Sequence, residues 1–225
     1  MKKIKDNPFL TKHQKYFLHE FAKWKDSEHF YLTGGTALSA FYLGHRLSED
    51  LDFFTEGEEV RTETIASLLK SIPRIDTFSF ERKFDRRIFF IRFEDSGLLR
   101  VEFTPYPFKR LEIFKAIEGI NVDSLIDILT NKLLTLSDRR DIKDYVDVYF
   151  ILKEFVHFSM DDLVMKVEKK FGLKGIHYII QGRFLDPLED IKGLKLLREV
   201  NGKEMASFFN EIGRKMIRKN LEKEF

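Results

Sequence analysis

The residues best equipped for chemistry in this chain are Asp50 and Asp52, set two apart at the head of the run Leu51-Asp52-Phe53-Phe54. In an extended strand that spacing projects both side chains from one face. Two carboxylates on one face repel unless a cation lies between them or one of them takes up a proton. Hard oxygen donors of this kind suit Mg²⁺, which needs only one or two protein carboxylates alongside substrate phosphates. Asp is a poor strand residue, so two of them here cost stability that a binding role would justify. A strand end carrying two solvated acids satisfies the same pattern.

Upstream, Gly34-Gly35-Thr36 falls between the strand-like Phe30-Tyr31-Leu32 and a small apolar segment, Thr36 to Leu43, that suits a helix. A glycine pair at that junction lets the backbone approach a ligand closely. The first N–H groups of the helix then face the ligand, which suits phosphate, and the Thr36 hydroxyl offers one more donor. A helix-capping turn would carry the same residues. A two-metal site asks for a third carboxylate, and Glu102 is the candidate. Alternation along 99–104 puts Leu99, Val101 and Phe103 on one face and Arg100, Glu102 and Thr104 on the other. Glu102 meets the Asp pair if this strand lies beside 51–54; otherwise it is a surface Glu.

Further on, Lys132 falls within the apolar stripe of Leu125, Ile128, Leu129, Leu133 and Leu136. A lysine there snorkels, enters an internal salt bridge, or meets a buried anion such as a nucleotide triphosphate in a cleft between the two halves of the chain. Asp144 and Asp147 are placed similarly on the next helix. They suit ion pairs with Arg139, Arg140 or Lys143, or, for Asp144, a place in the site.

The elements that must position these groups follow from periodicity. Tyr16, Phe17, Phe21 and Trp24 mark a helix over 12–25, and a second helix over 60–70 closes before Pro73. Strand-like runs cover about 75–82, 87–94 and 98–104, the last two joined by the hairpin turn Glu94-Asp95-Ser96-Gly97, and Pro105 and Pro107 end the sheet region. Helical patterns take over near 122, at 125–136, 141–155, 160–170 and 203–223, while 172–193 is broken by glycines and has no assignment. The expectation is an α+β core over 1–118 followed by a helical domain over 119–225.

Composition narrows the function classes. With 43% apolar residues, 24 of them Phe, the chain of 225 residues can bury a core, which excludes a disordered polyelectrolyte. It has no cysteine, hence no disulfide, thiolate metal site or cysteine nucleophile, and a reducing cytoplasm is its expected home. No apolar run approaches the ~20 residues of a membrane helix, and no signal core follows the basic start, so no membrane association is expected. The net charge of +2 hides opposed blocks: 49–63 carries a net −6 and 82–92 a net +4. Arg82, Lys83, Arg86, Arg87 and Arg92 in the second block suit phosphate.

Taken in order, Gly34-Gly35-Thr36-Ala37-Leu38, then Gly44-His45-Arg46-Leu47-Ser48-Glu49-Asp50-Leu51-Asp52-Phe53-Phe54, then Lys132 and the segment Arg139 to Asp147 resemble the nucleotidyltransferases of the AbiEii/AbiGii toxin family, within the DNA polymerase β-like superfamily. The resemblance spans about residues 30–150. It implies a mixed β-sheet core with flanking helices and a C-terminal helical domain that completes the nucleotide cleft. By motif position Asp50 and Asp52 would hold Mg²⁺ or Mn²⁺, with Glu102 as the third ligand. Gly34, Gly35, Thr36, Arg46 and Ser48 would bind the nucleotide, Lys132 would contact its triphosphate, and Asp144 would be a further acid of the site. The implied activity is transfer of a nucleoside monophosphate from an NTP to an acceptor hydroxyl, in some members a tRNA 3′ end, by a toxin paired with an antitoxin. Two readings compete with it: a non-catalytic nucleotide- or RNA-binding module of the same fold, and a structural partner-binding protein whose acid pair is incidental.

Overall fold

A computed structural model of the chain describes residues 3–57, 59–155 and 159–223. Two compact units divide it, Met1–Ser124 and Leu125–Phe225.

The first unit opens with helix α1 (Lys12–Phe21). Its start is a reciprocal capping box: the Thr11 hydroxyl accepts from the Gln14 N–H, and the Gln14 side chain accepts from the Thr11 N–H. After a 3₁₀ turn (Lys25–His29) come β1 (Tyr31–Thr33) and α2 (Gly34–Leu38). Helix α2 runs on as a single π turn over Ser39–Leu43 and stops at Gly44 in the left-handed region, φ 60°. There follow β2 (Leu51–Thr55), α3 (Thr62–Ser71), β3 (Ile75–Lys83), β4 (Arg86–Phe93), β5 (Leu98–Pro105), β6 (Lys115–Ile117) and β7 (Ile120–Val122). Among the described residues these strands form one seven-stranded sheet in the order β3-β4-β5-β2-β1-β7-β6. Pairing is parallel for β2 with β5 and β1 with β7, and antiparallel elsewhere, so the sheet is mixed.

Register explains which face is core. Leu51 pairs with Val101, Asp52 with Glu102 and Phe53 with Phe103. Because side chains alternate across a pleated strand, the apolar partners lie on one face and the acids on the other. Leu51, Phe53, Val101 and Phe103 are wholly buried. The rings of Phe53 and Phe103 stack with centroids 5.3 Å apart, and Phe21 of α1 lies 4.4 Å from Phe53. Phe17, Phe30 and Phe89 complete this aromatic layer between α1 and the sheet.

The second unit is helical: α4 (Leu125–Asp138), α5 (Ile142–Glu154), α6 (Met160–Phe171), α7 (Ile176–Leu185) and α8 (Gly202–Lys223). Phe209 of α8 packs between Tyr145 and Phe184, at 5.5 and 4.9 Å between ring centroids. A buried ion pair, Lys170 to Asp127 at 2.6 Å, ties α6 to α4. No helix among the described residues is long and apolar enough to cross a membrane.

The α+β class with a helical second half matches the sequence reading, and three local features differ. The sheet does not end at Pro105 and Pro107. A hairpin of two three-residue strands, β6 and β7, extends it. Its turn is Glu118-Gly119, both at positive φ (47° and 85°), the backbone of a type I′ turn that Asn-Gly or Asp-Gly would have advertised. The division between units therefore falls after Ser124, whereas a boundary at 118/119 cuts through this hairpin. The unassigned stretch 172–193 contains α7, whose buried Ile176, Ile180 and Phe184 recur every fourth residue. Exposed Tyr178 and Ile179 on the opposite side blur that stripe.

Replacing Phe103 by Ala removes the ring shared by α1, β2 and β4. It is expected to lower the unfolding free energy by about 3–5 kcal/mol, read as a fall in the urea midpoint by circular dichroism.

Candidate active site

The acids of the first unit stand on the sheet face opposite the aromatic layer. Asp52 sits on β2, near the middle of the sheet, with Thr33 of β1 and Glu102 of β5 as register neighbours. Asp50 precedes the strand by one residue and is half-exposed, as Asp52 is. The glycine turn lies directly beside them. Gly34 has φ +71°, and a side chain added to it would begin 2.6 Å from Asp52 Oδ2. Glycine is therefore required twice over, by its dihedral and by the carboxylate against it. A Cβ on Gly35 would collide with the Arg46 guanidinium and stand 3.0 Å from the Ser48 hydroxyl.

The loop between α2 and β2 folds back onto this turn and is held by its own carbonyls. The Thr36 hydroxyl donates to the carbonyl of Asp50, and the Ser39 hydroxyl to that of Arg46. The Gln14 amide of α1 donates to the Ser48 carbonyl at 2.9 Å. Arg46 is buried and donates to the Leu47 carbonyl at 3.1 Å. Gly34, Gly35, Thr36, Arg46, Ser48, Asp50 and Asp52 are thus brought together. Thr36 acts here on the backbone that aims Asp50. Gln14 was not anticipated, although a polar residue in line with Phe17, Leu18 and Phe21 on α1 is a readable signal.

Glu102 is next to Asp52, as the adjacency of β5 and β2 requires, but two arginines hold it. Arg86 of β4 donates from both Nε and Nη2, the latter at 2.5 Å, and Arg100 Nη2 donates at 2.7 Å. The Thr104 hydroxyl adds a bond at 3.0 Å. Arg100 also reaches Asp50 Oδ2 through Nη1 at 2.9 Å, so one guanidinium spans two of the three acids. Burial alone would raise the Glu102 carboxyl above its usual range. The hydrogen bonds and charge of Arg86, with Thr104 and Arg100, outweigh it and hold the group below that range. The same contact raises the Arg86 guanidinium further. Among the described residues no group of three or more His, Asp or Glu side chains is placed to hold a metal ion. Asp50 and Asp52 remain as a two-carboxylate donor set.

Strand register also sorts the basic block. Lys83 pairs with Arg86, and Arg86 and Arg92 share the β4 face that carries the acids. Arg82 and Arg87 fall on the opposite face, where Arg87 is buried and donates to Thr62 of α3 at 3.0 Å. A cavity of about 480 Å³ in this unit, lined by Trp24, Tyr31, Thr55, Glu56, Arg110 and Phe114 among others, is not lined by Asp50, Asp52 or Glu102.

In the helical unit Lys132 is buried and its Nζ lies 2.7 Å from both Asp144 and Asp147. Arg139 meets Asp144 from the other side at 2.9 Å. Of the outcomes open to an inward lysine, the internal salt bridge is the one observed, and it joins α4 to α5.

Two measurements follow. Because the Glu102 carboxyl is depressed when folded, its contribution to stability is complete above the unfolded-chain value of about 4.5 and is lost as pH falls through the lower folded value. Glu102→Gln is expected to flatten the acid limb of stability against pH in urea titrations below that value. Lys132→Met leaves two buried carboxylates facing each other and is expected to cost about 3–5 kcal/mol in the same assay.

Comparison with known proteins places the chain in a family. An uncharacterized protein of Aquifex aeolicus is 28% identical over 193 residues, covering 81% of this chain and 85% of its own length. A candidate nucleotidyltransferase from H. pylori shares the fold with a TM-score of 0.62 at 20% identity, covering 96% of this chain and 99% of its own. JHP933 from Helicobacter pylori does so with a TM-score of 0.60 at 21% identity, covering 94% and 93%. The family profile described as nucleotidyl transferase AbiEii toxin, type IV TA system, matches residues 16–220. With nearly the whole chain inside that match, this chain belongs to the AbiEii family of nucleotidyl transferase toxins.

Proposed function

We propose that the chain transfers a nucleoside monophosphate from an NTP to an acceptor hydroxyl, with a divalent cation, Mg²⁺ or Mn²⁺, held by Asp50 and Asp52. The observation that carries this reading is the half-exposed Asp52 carboxylate set against a glycine turn that admits no side chain, with half-exposed Asp50 two residues before it and its carbonyl held by Thr36 of that turn. The donor set fits the cation: two hard oxygen ligands suffice when substrate phosphates supply others. The cation would supply charge neutralisation on the triphosphate and a lowered pKa for the acceptor hydroxyl. The chain's own part is positional. Thr36 and Gln14 fix the carbonyls of the Ser48–Asp50 loop and so aim Asp50. Gly34 and Gly35 keep the turn open to close approach. The bond formed joins the acceptor oxygen to the α-phosphorus, the bond broken frees pyrophosphate, and the acceptor proton leaves to solvent.

Membership of a toxin family supports a cognate antitoxin as partner, and the acceptor in this proposal is an RNA such as a tRNA 3′ end. Lys132 and Asp144 enter as the salt bridge that stiffens the α4–α5 pair rather than as groups on the triphosphate. A cytoplasmic site of action accords with such an acceptor.

The arginine partners of Asp50 and Glu102 favour one rival, a binding module in which guanidinium groups stand permanently in place of the cation. Incubation with each of four α-labelled NTPs, total tRNA and Mg²⁺ separates the two. Label should appear in RNA with the wild type and fall more than about 100-fold with Asp52→Asn, the scale of one charge-stabilising group in such a transition state. Transfer undiminished in that variant sinks the assignment. Tight NTP binding without product, indifferent to divalent ions, selects the binding module.

A further inference from the structure

The least expected arrangement in the sheet is the pair of guanidiniums on Glu102. Its side chain is 4% exposed, whereas those of Arg86 and Arg100 are 40% and 26% exposed. The anchor is therefore buried and its two cations reach the open face. Arg86 spends Nε and Nη2 on the carboxylate in a fork, which fixes the plane of the guanidinium. Its Nη1 has no hydrogen-bond partner among the described residues, and neither does Arg100 Nε. One carboxylate with two guanidiniums is a unit of net charge +1. It stands in register beside Asp52, and Lys83 is the cross-strand partner of Arg86.

A carboxylate ligand for a cation needs free oxygen lone pairs, and those of Glu102 are taken by four N–H and O–H donors. Stripping a buried Glu of two arginines to bind a metal would leave two cations unmatched, a costly exchange. The same arrangement is ready for an anion. Partly exposed arginines with spare donors, held rigid by a buried acid, match the oxygens of a polyphosphate. The three acids and two arginines together carry one negative charge, so a divalent cation on Asp50 and Asp52 turns the cluster to +1 and favours an incoming phosphate chain further.

We infer that Glu102 is the anchor of a phosphate clamp, with Arg86 and Arg100 as the groups that grip the β- and γ-phosphates of the nucleotide and the departing pyrophosphate, and that Glu102 does not ligate the cation. Glu102 is a positioning residue, since it acts through the two arginines. Arg100 has a second part: it neutralises Asp50 until a cation takes its place there. This assignment rests on the nucleotidyl-transfer reading of the Asp50–Asp52 site and specifies how that site holds its leaving group.

Binding measurements on the full chain test it without turnover. Inorganic pyrophosphate is titrated in Mg²⁺ by calorimetry, Mn²⁺ alone is titrated by electron paramagnetic resonance, and single-stranded RNA by anisotropy. Arg86→Gln and Glu102→Gln are each expected to weaken pyrophosphate about tenfold or more, with Arg86→Lys recovering part of the loss. Neither should weaken Mn²⁺, Arg100→Gln should tighten it, and Asp50→Asn should weaken it. The clamp is overturned if Glu102→Gln weakens Mn²⁺ as much as Asp50→Asn does. It is equally overturned if pyrophosphate affinity is unchanged in both Arg86→Gln and Arg100→Gln, or if only RNA affinity falls, which would assign the arginines to the acceptor backbone. A wild type that binds no Mn²⁺ but loses pyrophosphate with Arg86→Gln overturns the cation reading and leaves the clamp standing.

Discussion

The parallel pairing of β2 with β5 is the constraint on which the rest of the first unit depends. One register sets Phe53 on Phe103 and, one residue away, Asp52 beside Glu102. The aromatic contact and the acid contact are the two faces of the same pairing. A slip of β2 by one residue would turn Phe53 to solvent and Asp52 into the core, so packing enforces the register and the register builds the site. Function here borrows its precision from hydrophobic burial. The acids themselves repel and would not choose this arrangement.

That repulsion is managed locally. Arg100 shares the acids' face because it is two residues from Glu102 on β5, and Arg86 does because it is two residues from Ile88, which lies opposite Glu102. From there each arginine is one step along a pleat from the carboxylate it meets. The glycine turn and the Arg46 loop add geometric definition. Thr36, Ser39 and Gln14 use their polar groups on loop carbonyls rather than leaving them for a ligand. The result is a rigid frame whose exposed groups are carboxylates and guanidiniums.

Much of this is visible in the amino-acid order, because it depends on short-range rules. Two acids at i and i+2, glycines at a strand–helix junction, and alternation through Arg100, Glu102 and Thr104 are local patterns that survive without tertiary information. The partners of Glu102 are different in kind. Arg86 becomes its neighbour only through a cross-strand register, and five bases in 82–92 look alike until that register sends Arg87 to α3 and Arg86 to the acids. Lys132 shows the same limit. Its inward position is readable from a helical stripe, yet which anion it meets depends on how α5 lies against α4. The β6–β7 hairpin and α7 escaped notice for a simpler reason: three-residue strands are too short to alternate visibly, and apolar residues on both sides of α7 cancel its periodicity.

The outer strand β3 has a bearing on how the molecule behaves among copies of itself. It is nine residues long, mostly exposed, and among the described residues no strand pairs with its far edge. Such an edge is a template for pairing with another chain. Here Asp76, Glu81, Arg82 and Lys83 line it with mixed charge, and a register shift between Ile75 and Thr77 breaks its regularity at the start. Both are recognised means of discouraging strand addition, so the long open edge of this sheet is poorly suited to fibre growth.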